Sequence, residues 1–162
     1  MSISIDAGTL KALQKAQKNE ITEHHIYMKL ASVIKNEHNS QILARIASDE
    51  LRHHDELKQF TGVEKKPNRW KIFFYTAISV LFGITFGIKL MERGEGDAEK
   101  LYEELGKKHE AFRKIAVEED IHEKALVEVI EEEKLNFVGS MVLGLNDALV
   151  ELTGTLAGLT FA

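Results

Sequence analysis

Two stretches of this chain carry the residue types and the spacing of a metal site. In Ile46-Ala47-Ser48-Asp49-Glu50-Leu51-Arg52-His53-His54-Asp55-Glu56-Leu57, Glu50 and His53 stand three residues apart. On a helix, which the neighbouring residues favour, that spacing puts a carboxylate and an imidazole on one face, a turn apart. The same spacing returns at Glu119 and His122. Two Glu-x-x-His helices are half of a carboxylate-bridged dinuclear site, whose other half is a single glutamate from each of two further helices. Glu20 or its neighbour Glu23, and Glu92, Glu95 or both, are the candidates for that second half.

Four helices must bring these residues together, and the composition allows it. At 162 residues the chain fits one domain with a normal core and room for an appendage. Its one proline, Pro67, leaves long stretches without an obligatory helix break, so an all-α fold is expected. The absence of cysteine excludes a disulfide framework, a thiol nucleophile and a Cys-ligated zinc or iron–sulfur centre. A net charge of −5 without a concentrated basic face argues against nucleic acid as a partner. Met1-Ser2-Ile3-Ser4-Ile5-Asp6 has neither the basic start nor the apolar run of a cleaved signal peptide.

The first amphipathic helix is expected from about residue 7 to 35, with Glu20 near its middle. Tyr27 follows two turns later on the same face, where a phenol could hydrogen-bond a metal-bound carboxylate. A second helix is expected from about 41 to 60, with Asn39 or Ser40 as N-cap and Thr61-Gly62 as its stop. After a basic linker containing Pro67, a third opens at Trp70 and is unusually apolar from Phe73 to Ile88. That run is slightly short for a membrane span. It reads as a bundle helix buried on more than one side, at a dimer contact, with a membrane span as the alternative and with Gly83 and Gly87 admitting a close neighbour. The helix is expected to continue through Glu92, weaken near Gly94 and Gly96, and resume to Leu105. Gly106-Lys107-Lys108 is the turn before a fourth helix, to about Leu135.

Spacing offers a test of convergence. In an antiparallel hairpin, two residues at the same height have their midpoint on the connection. The midpoint of Glu20 and Glu50 falls on Lys35, beside the polar run that starts at Asn36, and that of Glu92 and Glu119 falls between Leu105 and Gly106. Glu23 with Glu50 and Glu95 with Glu119 also pass, so heights do not choose within either pair. Burying so many carboxylates without cations would cost several kcal/mol per charge, which bound metal would offset. The plainer alternative is that most of these acids face water.

Glu20 with Tyr27 seven later, Glu50-x-x-His53, Glu92 or Glu95, and Glu119-x-x-His122 together resemble the rubrerythrin branch of the ferritin-like superfamily, over about residues 7 to 135. The resemblance implies an antiparallel four-helix ferritin-like bundle holding two iron ions that react with dioxygen or hydrogen peroxide. Carried over, Glu20, Glu50, Glu92 and Glu119 would be carboxylate ligands and His53 and His122 imidazole ligands. Glu95 would be a carboxylate that exchanges on oxidation. Tyr27, with Tyr102 as a second candidate, would orient ligands. The four-cysteine module of rubrerythrins, their built-in electron donor, is missing here. Manganese or zinc could replace iron, since Glu/His sites accept several divalent ions.

From Phe137 to Ala162 the chain is apolar and long enough to span a bilayer, yet it carries Asp147 and Glu151 four apart on one face. Acids at that depth usually face a polar pathway. Gly144-Leu145-Asn146-Asp147-Ala148-Leu149 and the glycine-spaced run after it resemble the first transmembrane helix of the vacuolar iron transporter family. Proteins that join a rubrerythrin-like domain to such a transporter are membrane-bound ferritins, and this order matches theirs. The expectation is a bundle over 1–136 followed by a transporter-like segment over 137–162, truncated within that helix. A fifth amphipathic helix of a soluble protein, with Asp147 and Glu151 on its wet face, is the alternative.

The expected whole is a homodimeric, cytoplasm-facing di-iron bundle on a membrane, binding and oxidising Fe(II) in support of iron export. A metal-sensing domain without turnover, and a free-standing peroxide reductase with an external reductant, are the alternatives.

Overall fold

The computed structural model describes residues 6–92 and 96–160. Six helices and no strand lie among them: α1 (Ala7–Val33), α2 (Glu37–Thr61), α3 (Arg69–Phe82), α4 (Ile84–Glu92), α5 (Gly96–Gly106) and α6 (Glu110–Thr160). The Asp6 carboxylate accepts from the backbone N–H of Gly8 and Thr9 and starts α1. The next helix begins earlier than expected, because Asn36 rather than Asn39 or Ser40 caps it, accepting from the Asn39 N–H. The connection between α1 and α2 thereby shrinks to Ile34–Asn36. Gly62, at φ 67, ends α2 in the left-handed conformation that a glycine tolerates.

The largest correction concerns the third helix. The apolar run is two helices, with Gly83 at φ 91 and ψ 150 between them, a conformation closed to residues with a Cβ. α4 folds back on α3 so closely that a Cβ on Gly87 would lie 1.8 Å from Ser79 Oγ. The close neighbour expected at Gly87 is therefore the preceding helix of the same chain. α3 is a crossover, and α4 with α5 takes the third place in the bundle, the single long connection that ferritin-like topology uses. Only Ile72 and Ser79 of α3 are buried, so the expectation of burial on several sides does not hold within this chain.

Two apolar clusters fill the bundle. The upper one joins Ile26 and Leu30 of α1, Leu43 of α2, Ile88 of α4, and Leu126 and Val129 of α6. The lower one joins Leu13, Leu57, Tyr102, Phe112 and Ile115. At the upper end Asn36 donates to Glu132 over 3.0 Å and Asn39 to Glu133 over 2.9 Å, tying α6 to the α1–α2 turn. Beyond Lys134, α6 leaves the bundle without a break, and every described side chain from Leu135 to Thr160 is exposed.

Candidate metal centre

Between the two apolar clusters lies a polar layer. α1 contributes Glu20, α2 contributes Glu50 and His53, and α6 contributes Glu119 and His122. The two imidazoles face each other with centroids 5.7 Å apart. Glu20, Glu50 and His53 are fully buried, His122 nearly so, and Glu119 is a quarter exposed. Ligand atoms of Glu20, Glu50, His53 and Glu119 all lie within 4.8 Å of one another.

Each of two carboxylates reaches both imidazoles. Glu50 puts one oxygen 3.6 Å from His53 Nδ1 and the other 3.2 Å from His122 Nδ1. Glu119 puts one oxygen 3.0 Å from His53 Nδ1 and the other 3.8 Å from His122 Nδ1. None of these approaches has the geometry of a hydrogen bond. Five buried atoms, Glu20 Oε2, Glu50 Oε2, Glu119 Oε1 and the Nδ1 of both histidines, have no hydrogen-bond partner. Buried polar atoms are ordinarily paired, and five orphans gathered in one layer are the arrangement that bound cations would complete.

The far sides of the imidazoles are held. His53 Nε2 lies 3.0 Å from Glu118 Oε2, and His122 Nε2 lies 3.3 Å from Asp49 Oδ2. The pairing is reciprocal: the acid preceding the ligand-type glutamate on each helix takes the histidine of the other helix. Arg52 then joins the two acids, donating to Asp49 over 2.7 Å and to Glu118 over 3.1 Å. With Nε2–H donating outward, each Nδ1 lone pair is directed into the layer, the tautomer a metal-binding imidazole needs. On the opposite side the Tyr102 hydroxyl donates to Glu20 Oε1.

Charge in the layer is strongly perturbed. Burial pushes the Glu20 carboxyl well above its usual range, and the neighbouring Glu119 and Glu50 push it further. Burial also acts upward on Glu50, but its contacts with His122 and His53 outweigh that and hold it well below the usual range. Burial pulls both imidazoles down. The carboxylates of Glu119, Glu20 and Glu50 more than reverse this at His53, and those of Glu119 and Glu50 push His122 up to about 10. Protons on the two imidazoles thus stand where cations would balance the same acids.

The expected residues divide as follows. Glu20, Glu50, His53, Glu119 and His122 are brought together. Of the two α1 acids, Glu20 is in the layer, while Glu23 lines a separate cavity with Lys71 and Tyr75. Glu92 ends α4, and its side chain and the whole of Glu95 lie outside the described residues. Tyr27 is buried in the upper cluster, and Tyr102 is the phenol hydrogen-bonded to Glu20. Asp147 and Glu151 are exposed on the far part of α6, away from this layer. Sequence reasoning passed over Asp49, Glu118 and Arg52. The signal for the two acids was their place immediately before each ligand-type glutamate, four residues before the histidine; Arg52 had none.

Helices, crossover and polar layer define an all-α ferritin-like bundle with a carboxylate–histidine cluster able to hold metal. In agreement, residues 11–81, which span most of α1, all of α2 and most of α3 and carry Glu20, Glu50 and His53, match the family model for rubrerythrin. Searches of curated proteins and of solved structures find no match.

Proposed function

We propose that the protein binds a pair of iron ions in the polar layer and oxidises Fe(II) with dioxygen or hydrogen peroxide, in support of iron movement across a membrane. The observation that carries this reading is that Glu50 and Glu119 each turn one oxygen to each of two imidazoles. Two carboxylates that each reach two imidazoles fit the donor set of a two-ion carboxylate–histidine site, in which Glu50 and Glu119 would hold both ions. When bound, iron supplies the redox chemistry, one electron from each Fe(II). Glu20, Glu50, His53, Glu119 and His122 would hold the ions, and Glu92 and Glu95 are the candidates the sequence offers for a further carboxylate. Tyr102 would fix the orientation of Glu20, and the Asp49–Arg52–Glu118 relay that of the imidazoles. The apolar clusters above and below would exclude water from the layer.

The membrane part of the proposal takes residues 1–136 as the bundle and 137–162 as its membrane segment. α6 is long and apolar enough to cross a bilayer, and the apolar window in it is 0% buried. From Leu135 to Thr160 it runs about 38 Å at 1.5 Å per residue, more than the roughly 30 Å of a hydrocarbon core. Asp147 and Glu151 would line a polar path there, and the bundle would face the cytoplasm. The continuity of α6 also favours a second reading, in which metal occupancy at Glu119 and His122 is sensed and passed along the helix without turnover.

The test is metal content and Fe(II) oxidation by the full chain in detergent, beside the Glu50→Ala, Glu119→Ala double variant. About two irons per chain with rapid oxidation, both lost in the variant, is the expected result. Stoichiometric metal without oxidation selects the sensing reading, and no metal under reducing, iron-replete conditions overturns both.

A further inference from the structure

The hairpin of α3 and α4 ends in an exposed apolar tip. Val80, Leu81 and Phe82 precede the Gly83 turn and Phe86 follows it, exposed at 62%, 75%, 70% and 52%. An exposed cluster of this kind on a bundle that already has two filled cores marks a contact surface. No acid occurs between Arg69 and Met91, where the only charged residues are Lys71 and Lys89.

The position of this tip identifies its partner. The Asn68 backbone N–H donates to Thr22 Oγ1 over 2.9 Å, so α3 starts level with the middle of α1. Its 14 residues carry it about 21 Å, a little more than the roughly 17 Å of α1 that remain between Thr22 and its end at Val33. Ile84, just past the turn, packs on the same upper cluster as Ile34 and Ile42. The tip therefore reaches the end of the bundle at which Asn36 and Asn39 hold Glu132 and Glu133. There α6 leaves the bundle, and its exposed apolar part begins at Leu135, within a turn of those contacts. A bilayer that takes up α6 from Leu135 onward lies against this end, at the level of the tip.

We propose that the tip of the α3–α4 hairpin, Val80, Leu81, Phe82 and Phe86, is a second membrane contact, inserted at headgroup depth into the bilayer that the far part of α6 enters. The proposal rests on the membrane reading of α6 given above. Two attachments at one end fix the tilt and the rotation of the bundle against the bilayer, which a single spanning helix does not set. The absence of acids along the hairpin suits an anionic leaflet, and aromatic side chains suit the interfacial layer. Trp70 and Phe73, nearer the start of α3, stay above the membrane at the height of the metal layer.

The chain has no cysteine, so single labels are clean. The full chain carrying Leu81→Cys, Leu145→Cys or Lys108→Cys, each with an environment-sensitive fluorophore, is reconstituted into phosphatidylcholine–phosphatidylserine vesicles. Nitroxide-labelled lipids then report depth. The expected result is strong quenching of the Leu81 label by shallow nitroxides and of the Leu145 label by deep ones. The Lys108 label, at the opposite end, and native Trp70 fluorescence should be unaffected. Quenching at Leu145 without quenching at Leu81 overturns the proposal and leaves the α6 reading intact. No quenching at either site overturns both. Quenching of Trp70 together with Leu81 means the bundle lies on its side, which also overturns the proposal. So does absent quenching of the labelled Leu81→Cys chain together with disulfide-linked dimers of the unlabelled one, since a second copy then covers the tip.

Discussion

The two parts of α6 obey different rules although no break separates them. Between Glu110 and Lys134 the helix alternates exposed residues with the buried stripe of Phe112, Ile115, His122, Leu126, Val129 and Ile130. From Leu135 to Thr160 it has no buried described side chain and apolar residues face most directions. The near part is amphipathic because it has a core to meet, and the far part is apolar around most of its circumference, Asp147 and Glu151 apart, because, on the membrane reading, its solvent is lipid. Secondary structure alone cannot mark such a boundary. Hydrogen bonding along the backbone is the same on both sides, and only the distribution of side chains around the axis changes.

The comparison is broken most severely by removing one part. A chain ending at Lys134 is expected to lose its stable membrane anchorage, keeping only the weaker interfacial contact of the hairpin tip, and to keep its full metal content. Vesicle flotation and metal analysis check both halves of that statement, and loss of metal along with the tail would mean the two parts are not separable. A milder version uses the same kind of substitution twice on one helix. Phe112→Ala, at 0% exposure in the lower cluster, is expected to destabilise the bundle by about 3–5 kcal/mol. Leu149→Ala should stay within about 0.5 kcal/mol. Denaturant unfolding of the bundle in detergent, followed by near-UV circular dichroism, separates the two.

Arg52→Gln sharpens the comparison within the near part. It leaves every ligand-type side chain in place but removes the link between Asp49 and Glu118, so metal affinity should fall about 10- to 100-fold. The loss should show by calorimetry with a divalent ion, and Arg52→Lys should restore only part of it, because an ammonium lacks the fork that spans two acids.

The smallest effect is one of pH. His122, pushed up to about 10, has a folded value above the 6.5 of an unperturbed imidazole. Its protonation therefore stabilises the metal-free bundle fully below about pH 6.5, and that contribution is lost as pH rises through about 10. Because metal displaces the same proton, metal binding near pH 7 should release protons, and apparent affinity should climb as pH rises toward 10. A weakly buffered indicator assay measures the release. The Lys134-terminated chain should give the same count, since the far part of α6 carries no group in the layer.

How much of this was legible in the sequence depends on whether the information was local. Glu50-x-x-His53 and Glu119-x-x-His122 fix a relation within one helix turn, so four members of the layer could be named from spacing; the midpoint test passed Glu20 and Glu23 alike, and only the resemblance singled out Glu20. The relay through Asp49, Arg52 and Glu118 was not legible as a relay, because each acid serves the histidine of the other helix and the link exists only after packing. The hairpin at Gly83 was misread for a related reason. A glycine inside an apolar run is compatible with a continuous helix, and the choice is made by Ser79 meeting Gly87 and by Ile84, Ile88 and Met91 turning into the upper core. The 136/137 junction was read from composition, and the helix runs through it, since composition reports the solvent and not the backbone.

An unbroken α6 also fixes angular phase over its whole length. At about 100° per residue, Asp147 and Glu151 fall within about 20° of His122, one on either side, seven and eight turns further along. The stripe of α6 that points into the metal layer is therefore the stripe that carries both acids in the far part. Any rotation of the helix about its axis that reseats His122 would sweep Asp147 and Glu151 through the same angle, with no hinge between them to absorb it.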